Sequence, residues 1–352
     1  MTRFFPSSSI LGVDIGTSSI KIAEIEKDSP KPRLKNYGVL DTYEHLSRPN
    51  SAIQTNSLKI AEKDTAELLK KLIKEAGFGA KEAVASIPSF SVFTTLLEIP
   101  KMSDIDINKT MSFQVRQHIP LPVSEVEIEW LKVGEREEET GAVQQIFIIS
   151  IPKEIIKRYQ NIFALAGLNL EALELESLSL IRALINNSAS QLVVDIGALS
   201  TNILISDNGF LKANVFSDFG GAALTRSIAN GLGISFKRAE ELKKQKGLTA
   251  SGGDYELSTL PQVFLDAIIK ETAKAKENHE KNGGRKIERI ILAGGGAKLA
   301  GIAEYFGGQM GLPASIGNSL SAVAYRPEIE LLVKDLGPEL AVAIGLGIKN
   351  FI

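Results

Sequence analysis

The sequence predicts an α/β fold of two similar lobes that face each other across a cleft. One observation is the alternation of apolar, strand-like segments with amphipathic, helix-like segments along 352 residues. That length suffices for two domains of about 150 residues each. The other observation is an internal repeat: residues 11–22 align with residues 192–203, a shift of 181 (192 − 11), with identity at seven of twelve positions. One such motif alone would be weak evidence, but two copies at the heads of two segments indicate a duplication.

The composition narrows the classes of function. With 44% hydrophobic and 23% charged residues, the chain is typical of soluble globular proteins. Its formal net charge of −2 favours neither nucleic acid nor anionic lipid as a general partner. The absence of cysteine excludes disulfides, thiolate metal sites and cysteine nucleophiles. The N-terminal MTRFFPSSS lacks the apolar core of a secretory signal. The sequence also contains no run of about 18 apolar residues, the length that would predict a membrane-spanning helix. We therefore expect a cytoplasmic protein.

The first lobe begins with a group of strands followed by one helix. Apolar segments bounded by turns predict the strands, and a polar segment at 43–57 is predicted to be a loop. An apolar stripe at helical spacing predicts the helix, with Asp64 as its N-cap and Gly77 at its end. These segments are ILGVDI (10–15), IKIAEIE (20–26), RLKNYGVL (33–40) and KDTAELLKKLIKEAG (63–77).

Residues 83–170 have a different pattern, which predicts a small α+β unit inserted into the first lobe. The acidic segment GEREEETG (134–141) is predicted to be a solvated hairpin tip. The predicted strands are 83–88, 91–100, 125–134 and 144–152, and the predicted helices are 106–119 and 153–167.

The second lobe repeats the strand hairpin and then becomes mostly helical. A strand, a glycine-rich turn and a helix follow at 287–311, and a closing helix follows Pro338. Helices are predicted at 220–233, 235–247 and 260–283. The predicted domains are a first lobe of residues 10–82, 171–191 and 338–352, the inserted unit of residues 83–170, and a second lobe of residues 192–337.

The two repeated hairpins have the chemistry of phosphate-binding turns. Glycine at a tight turn lets backbone N–H groups approach an anion, and neighbouring hydroxyls and a lysine add donors. The aspartate that precedes each turn would repel phosphate unless a cation lay between them, and Mg²⁺ bridges carboxylates to phosphates in this way. The pattern therefore predicts Mg²⁺ and a nucleoside triphosphate between the lobes. The residues concerned are Asp14, Gly16, Thr17, Ser18, Ser19 and Lys21 in the first hairpin, and Asp195, Gly197 and Ser200 in the second.

The combined motifs resemble the actin-like ATPase superfamily, which includes actin, Hsp70, sugar kinases and FtsA. DIGTSSIK (14–21) and DIGALSTNI (195–203) resemble its two phosphate motifs, and LAGGGAKLAG (292–301) resembles its adenosine motif. Two further segments resemble its connecting helices, LELESLSLIRAL (173–184) and ELAVAIGLGI (339–348). The resemblance implies an actin-like, ribonuclease H-like duplicated ATPase fold with an inserted subdomain like that of FtsA.

The resemblance also implies roles for individual residues. Asp14 and Asp195 would hold hydrated Mg²⁺, and Glu176 would orient a water. The phosphates of ATP would lie on Lys21 and the two hairpins. The adenosine would be held by Glu240 and Lys243 on one side and by Gly294, Gly295 and Gly296 on the other. Whether ATP is hydrolysed or only bound is left open by these motifs.

Within the superfamily, the chain resembles the PilM family of type IV pilus assembly proteins. The segments that carry this resemblance are 113–130, 168–184 and 218–243, although Ala198 and Leu199 stand where many relatives have Gly, Ser or Thr. The family resemblance implies a cytoplasmic scaffold at the inner face of the membrane that binds the cytoplasmic N-terminal tail of PilN. The tail would dock in a seam between the inserted unit and the first lobe, lined by 91–100 and 108–119 with Arg116. The resemblance leaves open self-association and contact with other pilus components, the assembly ATPase among them.

Two alternatives of the same fold are an FtsA-like division protein and a small-molecule kinase. FtsA ends in an amphipathic membrane helix, whereas this sequence ends at Ile352 with the predicted connecting helix. A kinase should carry an acceptor-activating aspartate in a substrate loop, and none stands out in this sequence. No G-x-x-x-x-G-K-[ST] segment is present, which excludes a P-loop enzyme. Recruitment to the membrane through a partner is therefore the favoured hypothesis.

Overall fold

A computed structural model describes residues 9–42, 61–114, 119, 121–138, 141–248 and 255–351. The predicted loop at 43–57 lies outside these residues. The first lobe is built on a five-stranded sheet with the order β3-β2-β1-β4-β8. Its strands are β1 (Ser9–Ile15), β2 (Ser19–Glu26), β3 (Arg33–Asp41), β4 (Glu82–Ile87) and β8 (Asn169–Leu175). The hairpin strands β1, β2 and β3 pair antiparallel, whereas β4 pairs parallel to both β1 and β8.

The second lobe repeats this sheet strand for strand. Its order is β11-β10-β9-β12-β13, and the pairing directions are the same as in the first sheet. The strands are β9 (Gln191–Ile196), β10 (Thr201–Asp207), β11 (Phe210–Ser217), β12 (Arg289–Ala293) and β13 (Ala314–Ile316). The duplication predicted from the repeat of 181 positions is therefore confirmed at the level of topology.

Helices α1 (Glu62–Ala76) and α3 (Lys153–Ala166) cover one face of the first sheet. Leu69 of α1 and Phe163 of α3 are fully buried in one apolar cluster with Val13 of β1. The predicted N-cap of α1 is wrong: the helix begins after Ala61, which makes no side-chain cap, and Asp64 lies in the first turn. There its charge still favours the positive end of the helix dipole.

The predicted boundaries of the inserted unit are too wide. Strand β4 and helix α3, both inside 83–170, belong to the first lobe, because β4 lies between β1 and β8 and α3 packs on α1. We define the insert as residues 88–152. It contains a three-stranded antiparallel sheet of order β5-β7-β6, formed by β5 (Phe93–Pro100), β6 (Val126–Glu138) and β7 (Gly141–Pro152), and helix α2 (Asp104–Gln114). The predicted continuation of α2 with Arg116 lies outside the described residues.

Two helices connect the lobes and cross in direct contact. These are α4 (Glu176–Leu184) and α10 (Ala341–Gly347). A Cβ on Gly345 would overlap the carbonyl of Ser179, so glycine allows the close crossing. Arg182 holds the crossing by donating to both oxygens of the buried Glu174, at 2.6 and 2.9 Å, and to the Gly345 carbonyl oxygen at 2.8 Å.

The closing helix differs from its prediction. It is divided at Leu340 into α9 (Val333–Glu339) and α10, so that Pro338 lies inside α9. The segment before α9 and α9 itself pack on the first lobe, because Leu320 and Leu336 share an apolar cluster with Ile25 of the first sheet. The second lobe therefore ends earlier than the predicted boundary at 337.

The remaining helices belong to the second lobe. They are α5 (Gly221–Leu232), α6 (Phe236–Lys246), α7 (Tyr255–Lys281) and α8 (Ile302–Met310). Ser235 caps α6 by accepting the N–H of Arg238 at 3.3 Å. Within the part of the chain that the structure describes, none of the helices combines the length and apolarity that a membrane span requires.

Candidate nucleotide-binding cleft

The two repeated hairpins face each other across one cavity of about 1110 Å³. Their turns are closed alike: the N–H of Gly16 donates to the Ser19 carbonyl at 3.0 Å, and that of Gly197 to the Ser200 carbonyl at 2.9 Å. Every predicted site residue lines this cavity, namely Asp14, Gly16, Thr17, Ser18, Ser19, Lys21, Glu176, Asp195, Gly197, Ser200, Glu240, Lys243, Gly294, Gly295 and Gly296. Residues far apart in the sequence are thus brought to one place.

The first hairpin pairs a carboxylate with a buried ammonium. Asp14 and Lys21 are opposite each other in the β1–β2 register, and the Lys21 Nζ donates to the Asp14 Oδ2 at 3.2 Å. Ser86 of β4 donates to the other oxygen at 2.9 Å. Burial by itself would lower the pKa of Lys21, but Asp14, Asp195 and Glu339 outweigh it and raise that pKa. The lysine is therefore a cation that remains charged and can contact phosphate.

Among the described residues, the carboxylate of the second hairpin forms no ion pair like that of Asp14 with Lys21. Burial raises the pKa of Asp195 to about 6, with Lys21 opposing the shift and Asp14 adding to it. Asn202 stands opposite Asp195 in the β9–β10 register, at the position that corresponds to Lys21. The two hairpins are therefore similar in backbone and different in charge.

Glu176 is the first residue of α4, and both aspartates act electrostatically on its carboxyl group. Its Oε1 accepts the backbone N–H of Ser89 at 2.7 Å and the Nδ2 of Asn202 at 2.7 Å. Burial, Asp195 and Asp14 raise the pKa of Glu176 to about 8, although these two hydrogen bonds oppose the shift. A pKa of about 8 favours the protonated carboxyl group at neutral pH, and a cation entering the cleft would favour the ionised form.

Mg²⁺ fits the donors that are present. Among the described residues no group of three or more His, Cys, Asp and Glu forms a metal cage. Mg²⁺ usually binds one or two carboxylates and keeps several waters, with phosphate completing its shell. Asp14 and Asp195 supply one carboxylate from each lobe. Burial, with the neighbouring carboxylates adding to it, raises the pKa values of Asp195 and Glu176, and a cation in the cleft would favour the ionised form of both groups.

Asn202 is a site residue that the sequence analysis missed. Its side chain is buried, donates to Glu176, and leaves Oδ1 without a hydrogen-bond partner among the described residues. A buried hydrogen-bond acceptor without a donor destabilises the folded protein, unless a ligand or a water donates to it. The sequence repeat could have indicated this residue, because a shift of 181 positions aligns Asn202 with Lys21.

The glycines of the predicted adenosine motif have different roles. Gly294 has a φ of +77°, and a Cβ there or on Gly296 would overlap the end of β9 at Asp195 or Ile196. Gly295 has no atom within 4 Å of the position of a Cβ. Packing within the protein therefore requires glycine at the outer two positions, whereas Gly295 faces the open cleft.

Glu240 and Lys243 form an ion pair in the wall of the same cavity. The Lys243 Nζ lies 2.6 Å from the Glu240 Oε2 and also donates to the Thr225 hydroxyl at 2.9 Å. Burial would raise the pKa of Glu240, but Lys243 outweighs it and lowers that pKa. The Lys243 side chain is only 14% exposed, so the pair is a fixed part of the wall that ties α6 to α5.

The second turn is braced by α5. The N–H groups of Gly221 and Ala222 donate to the carbonyls of Gly197 and Ala198 at 2.9 and 2.8 Å. The turn that carries Ala198 and Leu199 in place of hydroxyl residues is thus held by main-chain contacts, which need no particular side chain.

The chain matches the family model described as type IV pilus assembly protein PilM over residues 12–351. Among solved structures it is similar to a chain described as a PilM-PilN type IV pilus biogenesis complex. The identity is 22%, the TM-score is 0.83, and the match covers 99% of this chain and 100% of that chain.

Two further structures have the same fold. The ethanolamine utilization protein EutJ from Carboxydothermus hydrogenoformans is 18% identical, with a TM-score of 0.56 over 99% of this chain and 92% of that chain. MreB5 of Spiroplasma citri bound to ADP is 13% identical, with a TM-score of 0.55 over 98% of this chain and 97% of that chain. These likenesses confirm the predicted actin-like ATPase fold.

Proposed function

The chain belongs to the PilM family of type IV pilus assembly proteins, and from this premise we propose that it is an ATP-binding scaffold for the cytoplasmic tail of PilN. The observation that carries the nucleotide part is the meeting of both hairpins, with Asp14, Asp195 and Lys21, in one cavity. The MreB5 structure, which has the same fold, is described as bound to ADP. The family match favours pilus assembly over the division-protein and kinase alternatives.

Each residue of the cleft has a proposed part in holding ATP. The backbone N–H groups of the two turns and the Nζ of Lys21 contact the phosphates. Asp14 and Asp195 hold Mg²⁺, which would neutralise phosphate charge when bound. With a cation bound, the ionised form of Glu176 would be favoured, its proton passing to solvent. The carboxylate would then be able to orient a water beside the terminal phosphate. Asn202 donates to Glu176 and offers its free Oδ1 to that water.

The base is proposed to lie beside Gly295, which gives a direct test. Gly295→Val places a branched side chain at the open cleft, and its Cβ has no protein atom within 4 Å. We expect ATP–Mg²⁺ affinity to fall at least about tenfold, which corresponds to about 1.4 kcal/mol, with an unchanged melting temperature. Isothermal titration calorimetry measures the affinity. Gly308→Val is the matched control, because a Cβ there also meets nothing within 4 Å. Full affinity in a folded Gly295→Val variant would place the base elsewhere.

The partner proposal rests on the insert and on the PilM-PilN complex described for the similar structure. Strand β5 is at the edge of the insert's sheet, and Phe93 on it is 37% exposed. An edge strand with exposed apolar side chains can order an extended peptide through main-chain hydrogen bonds. We place the PilN tail in the seam between β5 and the first lobe. Binding such a tail would hold the protein at the cytoplasmic face of the membrane.

Removing the seam should abolish binding of the tail. Because β4 and α3 belong to the first lobe, the deletion that tests this is residues 92–151 replaced by a short linker, which keeps Ser89 and its hydrogen bond to Glu176. We expect a fluorescent peptide of the PilN N-terminal tail to lose its anisotropy signal with this variant while ATP binding persists. The deletion exposes apolar residues such as Leu211, so a point variant is also needed.

That variant is Phe93→Asp in the full chain, for which we expect about tenfold weaker peptide binding. Ile316→Asp is the control, because Ile316 is 38% exposed on β13, the edge of the second sheet remote from β11. Full peptide affinity in a folded Phe93→Asp variant and in a folded deletion would refute the placement of the tail.

A further inference from the structure

The insert is attached by the chain to the first lobe but packs against the second. Its two ends leave the first lobe at Pro88, after β4, and return at Pro152, before α3. Between these points, β5, β6 and the turn Ser89–Ser91 all contact β11, the edge strand of the second sheet. The insert therefore bridges the lobes beside the crossing of α4 and α10, because α4 also contacts β11.

The contact between the insert and the second lobe includes a buried apolar core. Val133 and Phe147 of the insert are at most 2% exposed and share one cluster with Leu204 and Leu211 of the second lobe. The rings of Phe90 and Phe216 extend it, with centroids 5.6 Å apart and an interplanar angle of 53°. The same cluster includes Ile87 of the first lobe, so the pair of Phe90 and Phe216 is the apolar contact that joins only the insert and the second lobe. Separating these two rings would expose them to water.

A buried lysine adds a polar contact to this core. Lys212 of β11 is 8% exposed, and its Nζ donates to the Val133 carbonyl at 2.6 Å and to the Gln145 Oε1 at 2.7 Å. Burial lowers the pKa of Lys212, with Asp207 opposing the shift. The bulge of β6 at Gly134 makes room for the ammonium group, since a Cβ there would meet it. Both partners are on the insert, so the lysine anchors the insert to the second lobe.

We propose that the insert moves as one body with the second lobe when the cleft opens or closes, turning about Pro88 and Pro152. The seam between the insert and the first lobe then changes width with the nucleotide state. This inference rests on the proposed function, because it makes the seam the element that ATP regulates. Ser89, next to Pro88, donates its N–H to Glu176 in the cleft, so one end of the insert lies directly on the nucleotide site.

Coupling of this kind is reciprocal. ATP–Mg²⁺ should change the affinity for the tail peptide by the same factor as the peptide changes the affinity for ATP–Mg²⁺. We expect a factor in the usual range of roughly 5 to 150. Both factors are measurable with the unmodified chain.

Distances between spin labels test the motion directly, because the chain has no native cysteine. The labelled sites are exposed side chains: Glu67→Cys in the first lobe, Glu129→Cys in the insert and Lys274→Cys in the second lobe. On adding ATP–Mg²⁺, we expect the 67–274 and 67–129 distances to change together, while the 129–274 distance stays constant. A constant 67–129 distance with a changing 129–274 distance would overturn the proposal, and so would three constant distances in ATP-bound protein.

Lys212→Met in the full chain tests the anchor, with Lys270→Met as control because Lys270 is exposed on α7 of the same lobe. We expect Lys212→Met to broaden the 129–274 distribution and to bring the coupling factor towards 1, with ATP affinity unchanged. An unaltered distribution and coupling factor would overturn the anchor. Absence of ATP binding in the unmodified chain would refute the proposed function and this inference together. ATP binding with the opposite distance pattern refutes the inference alone.

Discussion

Replacing Glu176 with glutamine is expected to stabilise the nucleotide-free protein at pH 8 by on the order of 2 to 4 kcal/mol. Burial and the neighbouring aspartates raise the pKa of this carboxyl from 4.5 to about 8. A folded-state pKa above the unfolded value means that the folded protein binds the proton more tightly. The resulting stability is fully present below about pH 4.5 and is lost as the pH rises through 8. Glutamine mimics the neutral acid and keeps an oxygen to accept the bonds from Ser89 and Asn202.

The difference between variant and parent should therefore be near zero at pH 4.5 and largest at pH 8. The free energy of unfolding from urea denaturation, measured at both pH values, tests this. Glu75→Gln is the control, because Glu75 is exposed on α1 and 61% of its side chain is accessible. A Glu176→Gln variant that is no more stable than the parent at pH 8 would show that Glu176 is ionised in the nucleotide-free protein.

Replacing Asp14 and Asp195, the proposed Mg²⁺ ligands, is expected to remove the Mg²⁺-dependent part of ATP affinity. In the parent, adding Mg²⁺ should strengthen ATP binding by roughly 10- to 100-fold, since each charge-assisted contact contributes about 1.5–3 kcal/mol. In the Asp14→Asn and Asp195→Asn double variant the affinities with Mg²⁺ and with a chelator should become nearly equal. Calorimetry with each condition gives the ratio directly.

The pH dependence of the parent adds a second test of the same assignment. Metal ligands must be deprotonated, and burial raises the pKa of Asp195 to about 6. The Mg²⁺-dependent affinity should therefore fall as the pH decreases below about 6. Asp64→Asn is the control, because Asp64 is exposed on α1. A double variant that keeps the full Mg²⁺ effect would show that the cation is held elsewhere.

The sequence was sufficient for the architecture because the signals of the architecture are local and repeated. The same hairpin occurs twice, and glycines with positive φ end α1 and α3 at Gly77 and Gly167, as the sequence predicts. The boundaries of the insert were harder to predict from the sequence. Strand β4 is as apolar as the strands of the insert, and only its pairing with β1 and β8 shows to which sheet it belongs.

The site was predictable to the extent that its residues lie within recognisable motifs. Asn202 was missed because an asparagine within a strand has no distinctive pattern. It can be recognised as a site residue only when the two hairpins are compared. Lys212 was not predictable at all. A lysine in an edge strand normally faces water, and its burial follows from the insert covering β11.

The most direct test of the proposed nucleotide site is the electron density of this protein crystallised with Mg²⁺ and a non-hydrolysable ATP analogue. We expect the triphosphate between the turns at 16–19 and 197–200, and the base beside Gly295. The cation should lie between Asp14 and Asp195. An analogue bound outside the cleft, or a cleft without the analogue at saturating concentration, would contradict the proposed site.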